Sequence, residues 1–481
     1  MGEQRRELLN AFTRLAARCA DRVLVQAVDR QATVGEIDRL SHAISEHALS
    51  ALGDSTLVGL SLPNGPAFLA GLLAILRSGH TALLLDAMAP AEDQARAMFA
   101  HGAVGALRST TAWPKAVTDV FVAAAELHTH RSPPLQGAVV KLTSGSTGVP
   151  HGVLMSDTSL LTDEAALTST MALAEDDRFL AMIPWSHSYG FTTLVLSALT
   201  RGVVLVLPTD TGPLSPLTDG QLLGATVFPT VPAYIQVLLK MARPPALPET
   251  MRLVISAGAP LPAAAAREFR RRYGQSARVF YGSSECGGVC YDREGGAGER
   301  GTVGTPVDGV RISLADSPDC GPGAGLVTVE SPAVGTRYLR GDSDVLGGGK
   351  FQTCDVGSWL GGELVLGARA DRMINVRGRK VDPAEVESVL VKFDGVDEAV
   401  VLGAQIREGK DEAVRAVLVT SGRTIPRTEI VAWCRSQLAE HKVPRSIVLV
   451  PTLPRTARGK IDHAALRRLP AADQGPVGSD D

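Results

Sequence analysis

Short β-type apolar runs alternate with helical patterns over most of this chain, and that alternation constrains the fold more than any other feature. Residues 57–62 form an apolar run ahead of the helix-like Pro66–Arg77, and residues 81–85 follow as another run. Residues 203–207, 226–228, 253–255 and 279–280 read as buried strands, with a helix-like stretch at 262–273 between the last two. Strands separated by helices imply crossover connections, so the pattern predicts an α/β fold with largely parallel sheets. No repeat at solenoid periods interrupts it. Breaks rich in Pro and Gly fall at 132–134, 243–248, 295–304, 318–325 and 347–349.

The pattern changes after about residue 371. Residues 383–392 read as a helix with Pro383 in its first turn and Glu385 and Glu387 near its start. Residues 396–403 and 413–420 read as strands, and 430–439 as a second helix. This is a compact α+β unit large enough to fold as a domain. The expected organisation is a large N-terminal domain at 1–370 and a small α+β C-terminal domain at 371–469. The polar tail 470–481 reads as disordered. A chain of 481 residues, 45% hydrophobic, has material for two or three such units.

Composition excludes several classes. The formal net charge of -3 gives no basic excess for nucleic acid or an anionic membrane. The six cysteines (Cys19, Cys286, Cys290, Cys320, Cys354, Cys434) are scattered without a CxxC pair, which fits a reducing cytoplasm. The charged, amphipathic start lacks a signal-peptide core. The most apolar stretches, 68–76 and 191–199, stop at Arg77 and Arg201, short of the ~18–20 residues that span a bilayer. A soluble cytoplasmic protein, monomer or homodimer, is expected.

The strongest local signal is Leu142-Thr143-Ser144-Gly145-Ser146-Thr147-Gly148-Val149-Pro150-His151-Gly152, directly after an apolar run at 138–140. Small residues let the backbone fold tightly enough for N–H groups to converge on an anion, and the hydroxyls add neutral donors. No Gly-Lys-Ser/Thr follows at Walker spacing. The bland alternative is a flexible polar loop.

This stretch resembles the signature loop of the acyl-activating adenylate-forming superfamily, which includes acyl- and aryl-CoA ligases, peptide-synthetase adenylation domains and luciferases. Further motifs follow in family order. Ser256-Ala257-Gly258-Ala259-Pro260-Leu261-Pro262 is similar to the adenine-wall segment, and Tyr281-Gly282-Ser283-Ser284-Glu285 to the Tyr-Gly-x-Thr-Glu motif. Gly301-Thr302-Val303-Gly304-Thr305-Pro306 matches the next motif. Thr353-Cys354-Asp355-Val356-Gly357 stands where Thr-Gly-Asp-Leu is usual. Arg369-Ala370-Asp371 and Gly378-Arg379-Lys380 fit the hinge region, and residues 453–460 the C-terminal lysine motif. The resemblance runs from about Thr33 to Lys460.

The family chemistry joins a carboxylate to the α-phosphorus of ATP, which brings two anions together and demands charge neutralisation and in-line alignment. By resemblance, Thr143, Ser144, Ser146 and Thr147, with Gly145 and Gly148, hold the β- and γ-phosphates. Gly258, Ala259 and Pro260 wall the adenine, Tyr281 stacks on it beside Gly282, and Ser284 contacts the α-phosphate. Glu285 helps hold Mg²⁺, a role suited to a hard oxygen donor. Asp355 and Arg369 fix the ribose. Lys460 bridges carboxylate and phosphate in the first step. Asp371 is the hinge for a domain rotation, and Gly378 lines the tunnel for the thiol, from CoA or a carrier-protein phosphopantetheine.

His187, in Pro184-Trp185-Ser186-His187-Ser188-Tyr189-Gly190-Phe191, matches a histidine beside the acyl pocket. Its context resembles fatty-acyl ligases more than amino-acid-activating domains, which carry an Asp near here; none stands between Pro184 and Thr200. A fatty or aromatic acid is therefore favoured. Three departures stand out: His151 replaces the usual phosphate-loop Lys, Cys354 a common Gly, and Asn375 a common Lys. The usual Glu of a Gly-Glu-Leu step is also missing at Ala324-Gly325-Leu326. The implied activity is ATP-dependent formation of acyl-AMP followed by acyl transfer to a thiol, most simply CoA, with an acyl-carrier protein as a possible partner. The competing readings are an amino- or hydroxy-acid adenylation enzyme, a non-catalytic nucleotide or acyl sensor, and an amine or hydride acceptor in place of the thiol.

Overall fold

The computed structural model describes residues 6–52, 56–109, 111–124, 135–143, 150–317, 320, 323–340, 345–372, 374–376, 379–405, 412–420, 425–455 and 461–470. The expected tail disorder at 471–481 lies outside the described residues. The chain forms two units. The first comprises Met1–Ser313, Thr328–Gln352 and Leu360–Leu364, and the second Leu314–Val327, Thr353–Trp359 and Val365–Asp481.

Two large sheets organise the first unit. In the nine-stranded sheet, Val23–Gln26, Val204–Val206, Arg178–Leu180, Val227–Thr230, Leu253–Ala257 and Ala277–Ser283 run parallel in that spatial order. Gln31–Thr33 closes one edge antiparallel, and Gly287–Tyr291 with Thr305–Pro306 closes the other. In the seven-stranded sheet, Val139–Thr143, Thr81–Leu84, Leu57–Ser61 and Gly105–Ser109 form a parallel centre. Antiparallel His151–Met155 with Arg337–Tyr338 and Val120–Ala124 flank it. Leu57–Ser61, Thr81–Leu84 and Leu253–Ala257 are buried at every position, as parallel strands covered on both faces must be. The expected α/β class is observed.

Helix Pro66–Arg77 has the bounds its sequence predicts. Proline occupies its first position, and residues 66–76 are all buried, the pattern of an all-round apolar helix inside a core. Arg77 escapes the core by pairing with Asp38. The stretch at 262–273 forms helix Ala263–Tyr273, which ends at Gly274 in the left-handed region at φ 72°. The expected break at 295–304 instead holds a short helix, Ala297–Arg300. Its start is fixed by the Asp292 carboxylate, which accepts from the N–H groups of Gly295 and Ala297.

In the second unit, Val396–Gln405 pairs antiparallel with Glu412–Thr420, which pairs parallel with Ser446–Leu449. Side chains alternate along Glu412–Thr420. Val414, Ala416 and Leu418 face a core with Val386 and Leu390 of helix Pro383–Leu390 and Ile430 and Cys434 of helix Arg427–Gln437. Val417 and Val419 face a second cluster with Leu453 and Leu466. Between these regions of sequence, Arg311–Ala315, Ala324–Glu330, Lys350–Leu360, Leu346–Gly347 and Glu363–Arg369 make a five-stranded sheet. No helix among the described residues is long and apolar enough to cross a membrane. None of the six cysteines forms a disulfide; Cys286, Cys290 and Cys434 are buried and Cys354 is exposed.

Candidate active site

The ends of parallel strands place the motif residues. Strands Leu253–Ala257 and Ala277–Ser283 pair with Ala257 opposite Phe280, so Gly258 and Tyr281 follow side by side at their carboxyl ends. This is where open α/β sheets receive ligands. Gly258 takes φ 86°, a conformation costly for a residue with a Cβ, and Gly258, Ala259 and Pro260 are all exposed there. At Gly282 a Cβ would lie 2.6 Å from the Gly287 carbonyl oxygen, so only glycine fits that close return of the chain. Tyr281 is half-buried.

In the seven-stranded sheet, Thr143 lies opposite His151, and the Thr143 hydroxyl donates to the His151 carbonyl at 3.5 Å. The two residues therefore close the base of the signature loop. Ser144, Gly145, Ser146, Thr147 and Gly148 lie outside the described residues. The His151 ring meets Tyr338 edge-on at 5.8 Å. The Tyr338 hydroxyl donates to Glu285 Oε1 at 3.1 Å, and the Glu285 carbonyl accepts from Gly335 N–H at 2.7 Å. Thus Glu285 is held from both its side chain and its backbone.

His187 caps a one-turn helix, Ser188–Gly190, and its Nδ1 accepts from Tyr189 N–H at 3.3 Å. That bond leaves the ring proton on Nε2. Gly190 permits the turn, since a Cβ there would sit 2.2 Å from the Pro184 carbonyl oxygen. The Tyr189 hydroxyl donates to the Ile255 carbonyl at 3.2 Å and anchors the turn to the nine-stranded sheet. Burial pushes that phenol well above its ordinary pKa, so it stays a neutral donor. Ser188 Oγ donates to Ser284 Oγ at 2.6 Å. With that lone pair engaged, the Ser284 proton is free for another acceptor. A continuous line of contacts therefore runs Thr143, His151, Tyr338, Glu285, Ser284, Ser188, His187. A turn of π-helix, Phe191–Leu196, follows directly.

Within the second unit, Asp355 and Arg369 come together at 3.6 Å, and Asp355 N–H donates to the Thr353 hydroxyl at 3.0 Å. Asp371 falls in the 3₁₀ turn Ala370–Arg372; its side chain lies outside the described residues. So do Gly378 and Lys460. A bridge between Arg455 and Ile461 closes the two ends of the segment that carries Lys460. Sequence reasoning missed Tyr338 and Ser188. Ser188 adjoins His187 and was within reach of a motif-based reading, whereas nothing local marks Tyr338.

Comparison with known proteins identifies the family. Residues 12–339 match the family model for AMP-binding enzyme, and residues 385–460 match the model for its C-terminal domain. The chain is 28% identical over 475 residues to an oxalate–CoA ligase of Arabidopsis thaliana, covering 88% of this chain and 91% of that one. It is 26% identical over 478 residues to a long-chain-fatty-acid–CoA ligase of Mycobacterium tuberculosis, covering 92% and 93%. Among solved structures, the o-succinylbenzoate–CoA synthetase of Bacillus subtilis, in complex with ATP and magnesium, superposes with a TM-score of 0.80. It is 25% identical, over 96% of this chain and 98% of that one. The chain belongs to the AMP-binding enzyme family and is an AMP-forming acid–thiol ligase, a type that activates an acid with ATP.

Proposed function

We propose that this ligase converts a fatty or aromatic acid and ATP to acyl-AMP and pyrophosphate, then passes the acyl group to CoA. The observation that carries the reading is the line of contacts from Thr143 through Glu285 to His187. A carboxylate oxygen attacks the α-phosphorus while the bond to pyrophosphate breaks. The thiol sulfur then attacks the acyl carbon, AMP leaves, and the thiol proton is lost. Ser284, with its oxygen already accepting from Ser188, offers its proton to the α-phosphate. Thr143 and the loop 144–148 take the terminal phosphates. Gly258–Pro260 and Tyr281 take the adenine, and Asp355 with Arg369 the ribose. Lys460 acts in the first step. The division at 1–370 and 371–469, pivoting at Asp371, brings Gly378 to the thiol path in the second.

Magnesium fits the donor set, because a half-buried carboxylate beside neutral hydroxyls suits a cation that keeps waters and phosphate oxygens. When bound, it neutralises phosphate charge, and Glu285, steadied by Tyr338, would hold it. The preference for a neutral acid rests on residues 184–200, which carry no carboxylate to receive an ammonium group and bury Trp185, Tyr189 and Phe191.

The test is acid-dependent pyrophosphate release with ATP, Mg²⁺ and hydroxylamine over fatty, aromatic and amino acids. Release with fatty or aromatic acids supports the reading, and release with amino acids alone overturns the pocket assignment. A follow-up with CoA and with a carrier protein identifies the thiol. Silence across the panel from folded, ATP-binding protein favours a sensor.

A further inference from the structure

Beneath this site lies a buried charge pair that none of the assigned chemistry uses. Lys141 sits on the strand Val139–Thr143, two residues before Thr143 and therefore on the same face of the sheet. It is 1% exposed, as is Asp163 of helix Asp157–Thr170. The Lys141 ammonium donates to the Thr192 hydroxyl at 3.3 Å and lies 5.9 Å from the centre of the Phe191 ring. Both partners belong to the π-helical turn that follows His187. Asp163 Oδ1 accepts from Gly288 N–H at 2.9 Å, three residues past Glu285. The intervening Gly287 takes φ 72°, and a Cβ there would lie 2.3 Å from the Asp163 carboxyl carbon. The turn carrying Glu285 is thus moulded on that carboxylate.

Burial pushes the Asp163 carboxyl up and the Lys141 ammonium down, and the attraction between them opposes both shifts. Burying two charges is a poor way to gain stability, because desolvation offsets most of their attraction. In some proteins such buried groups are kept for registry. Here Lys141 ties the phosphate-loop strand to the segment after His187, and Asp163, attracted to Lys141, holds the Glu285 turn.

We infer that Lys141, which bonds Thr192, and Asp163, which bonds Gly288, are positioning residues that hold these three segments in register for adenylation. The inference rests on the roles proposed above for Thr143, His187 and Glu285. Its test measures hydroxylamine-trapped pyrophosphate release in Thr192→Val, Lys141→Met and the double variant Lys141→Met/Asp163→Asn. Rates are normalised to active sites by the acyl-AMP burst, so a loss of folded protein does not count. Misplacement of reacting groups by about 1 Å costs up to ~100-fold. Thr192→Val is expected to lower the per-site rate about tenfold, and Lys141→Met about a hundredfold, with little change in KM for ATP. The double variant, freed of an uncompensated buried charge, recovers thermal stability but not rate. Transfer from preformed acyl-AMP to the thiol stays at the parent rate in all three. Per-site rates within about twofold of the parent in Thr192→Val and the double variant would overturn the inference while leaving the function intact. A rate that returns together with stability would do the same, since the pair would then serve the fold alone. A parent that releases no pyrophosphate with any acid would remove the functional reading, and this inference with it.

Discussion

Replacing Ser188 by alanine isolates one hydrogen bond at the centre of the site. Ser188 Oγ donates to Ser284 Oγ at 2.6 Å, so the wild-type Ser284 hydroxyl is oriented with its proton outward. A neutral hydrogen bond of this kind is worth ~0.5–1.5 kcal/mol net. At 1.36 kcal/mol per decade of rate, its loss lowers kcat/KM for adenylation by about two- to twelvefold. Both residues are half-buried, so the melting temperature is expected to move little. Ser284→Ala removes the proposed donor to the developing phosphate charge and is expected to cost about 10²–10³-fold. The discriminating measurement is the double-mutant cycle, read by pyrophosphate release at saturating ATP. If Ser188 acts only through Ser284, then Ser188→Ala adds nothing once Ser284 is alanine, and the double variant matches Ser284→Ala within about twofold. Additive losses would refute the reasoning and place Ser188 in direct contact with the substrate.

Other outcomes follow from the same geometry. Lys460→Ala is expected to reduce adenylate formation about 10²-fold or more while sparing thiol transfer from preformed acyl-AMP, measured as separate half-reactions. Tyr338→Phe removes the hydroxyl that donates to Glu285, so the Mg²⁺ concentration for half-maximal pyrophosphate release rises about tenfold. Burial pushes the Glu387 carboxyl in the second unit up to about 7. A raised carboxyl favours its protonated form in the fold, so its contribution is complete below the ordinary value of 4.5 and is lost as pH rises through about 7. Relative to Glu387→Gln, the wild-type melting temperature should therefore fall between about pH 5 and pH 8; a constant difference would count against a buried, protonated Glu387.

The fold was legible wherever the hydrophobic period was unbroken. Helix Pro66–Arg77 is readable because proline marks its start and an arginine its end. The strand expected at 279–280 extends instead over Ala277–Ser283. Its last residues, Tyr281-Gly282-Ser283, resemble a turn in composition, yet they pair with Gly287, Gly288 and Cys290 across a bulge. Tertiary pairing overrides local preference there, and Gly282 serves close approach rather than a turn. In the site, Glu285, Ser284 and His187 were readable because each sits in a contiguous motif. Tyr338 was not, since its link to Glu285 spans 53 residues and leaves no local pattern. Lys141 was equally hidden. A lone lysine in an apolar strand acquires meaning only when Thr192 and Asp163 arrive from elsewhere in the fold.

Among the cysteines, Cys354 is the exposed one, and it immediately precedes Asp355 of the pair with Arg369. Cys286 and Cys434 are pushed up to about 12 and about 11 by burial, and Cys290 is raised as well, so their thiols stay protonated and shielded. Cys19 and Cys320 are only partly covered and form the second tier. A thiol-reactive fluorophore used near neutral pH is thereby directed first to Cys354, beside the carboxylate assigned to the ribose. With Asp355 in its proposed ribose role, a label there would report nucleotide arrival without an engineered attachment point.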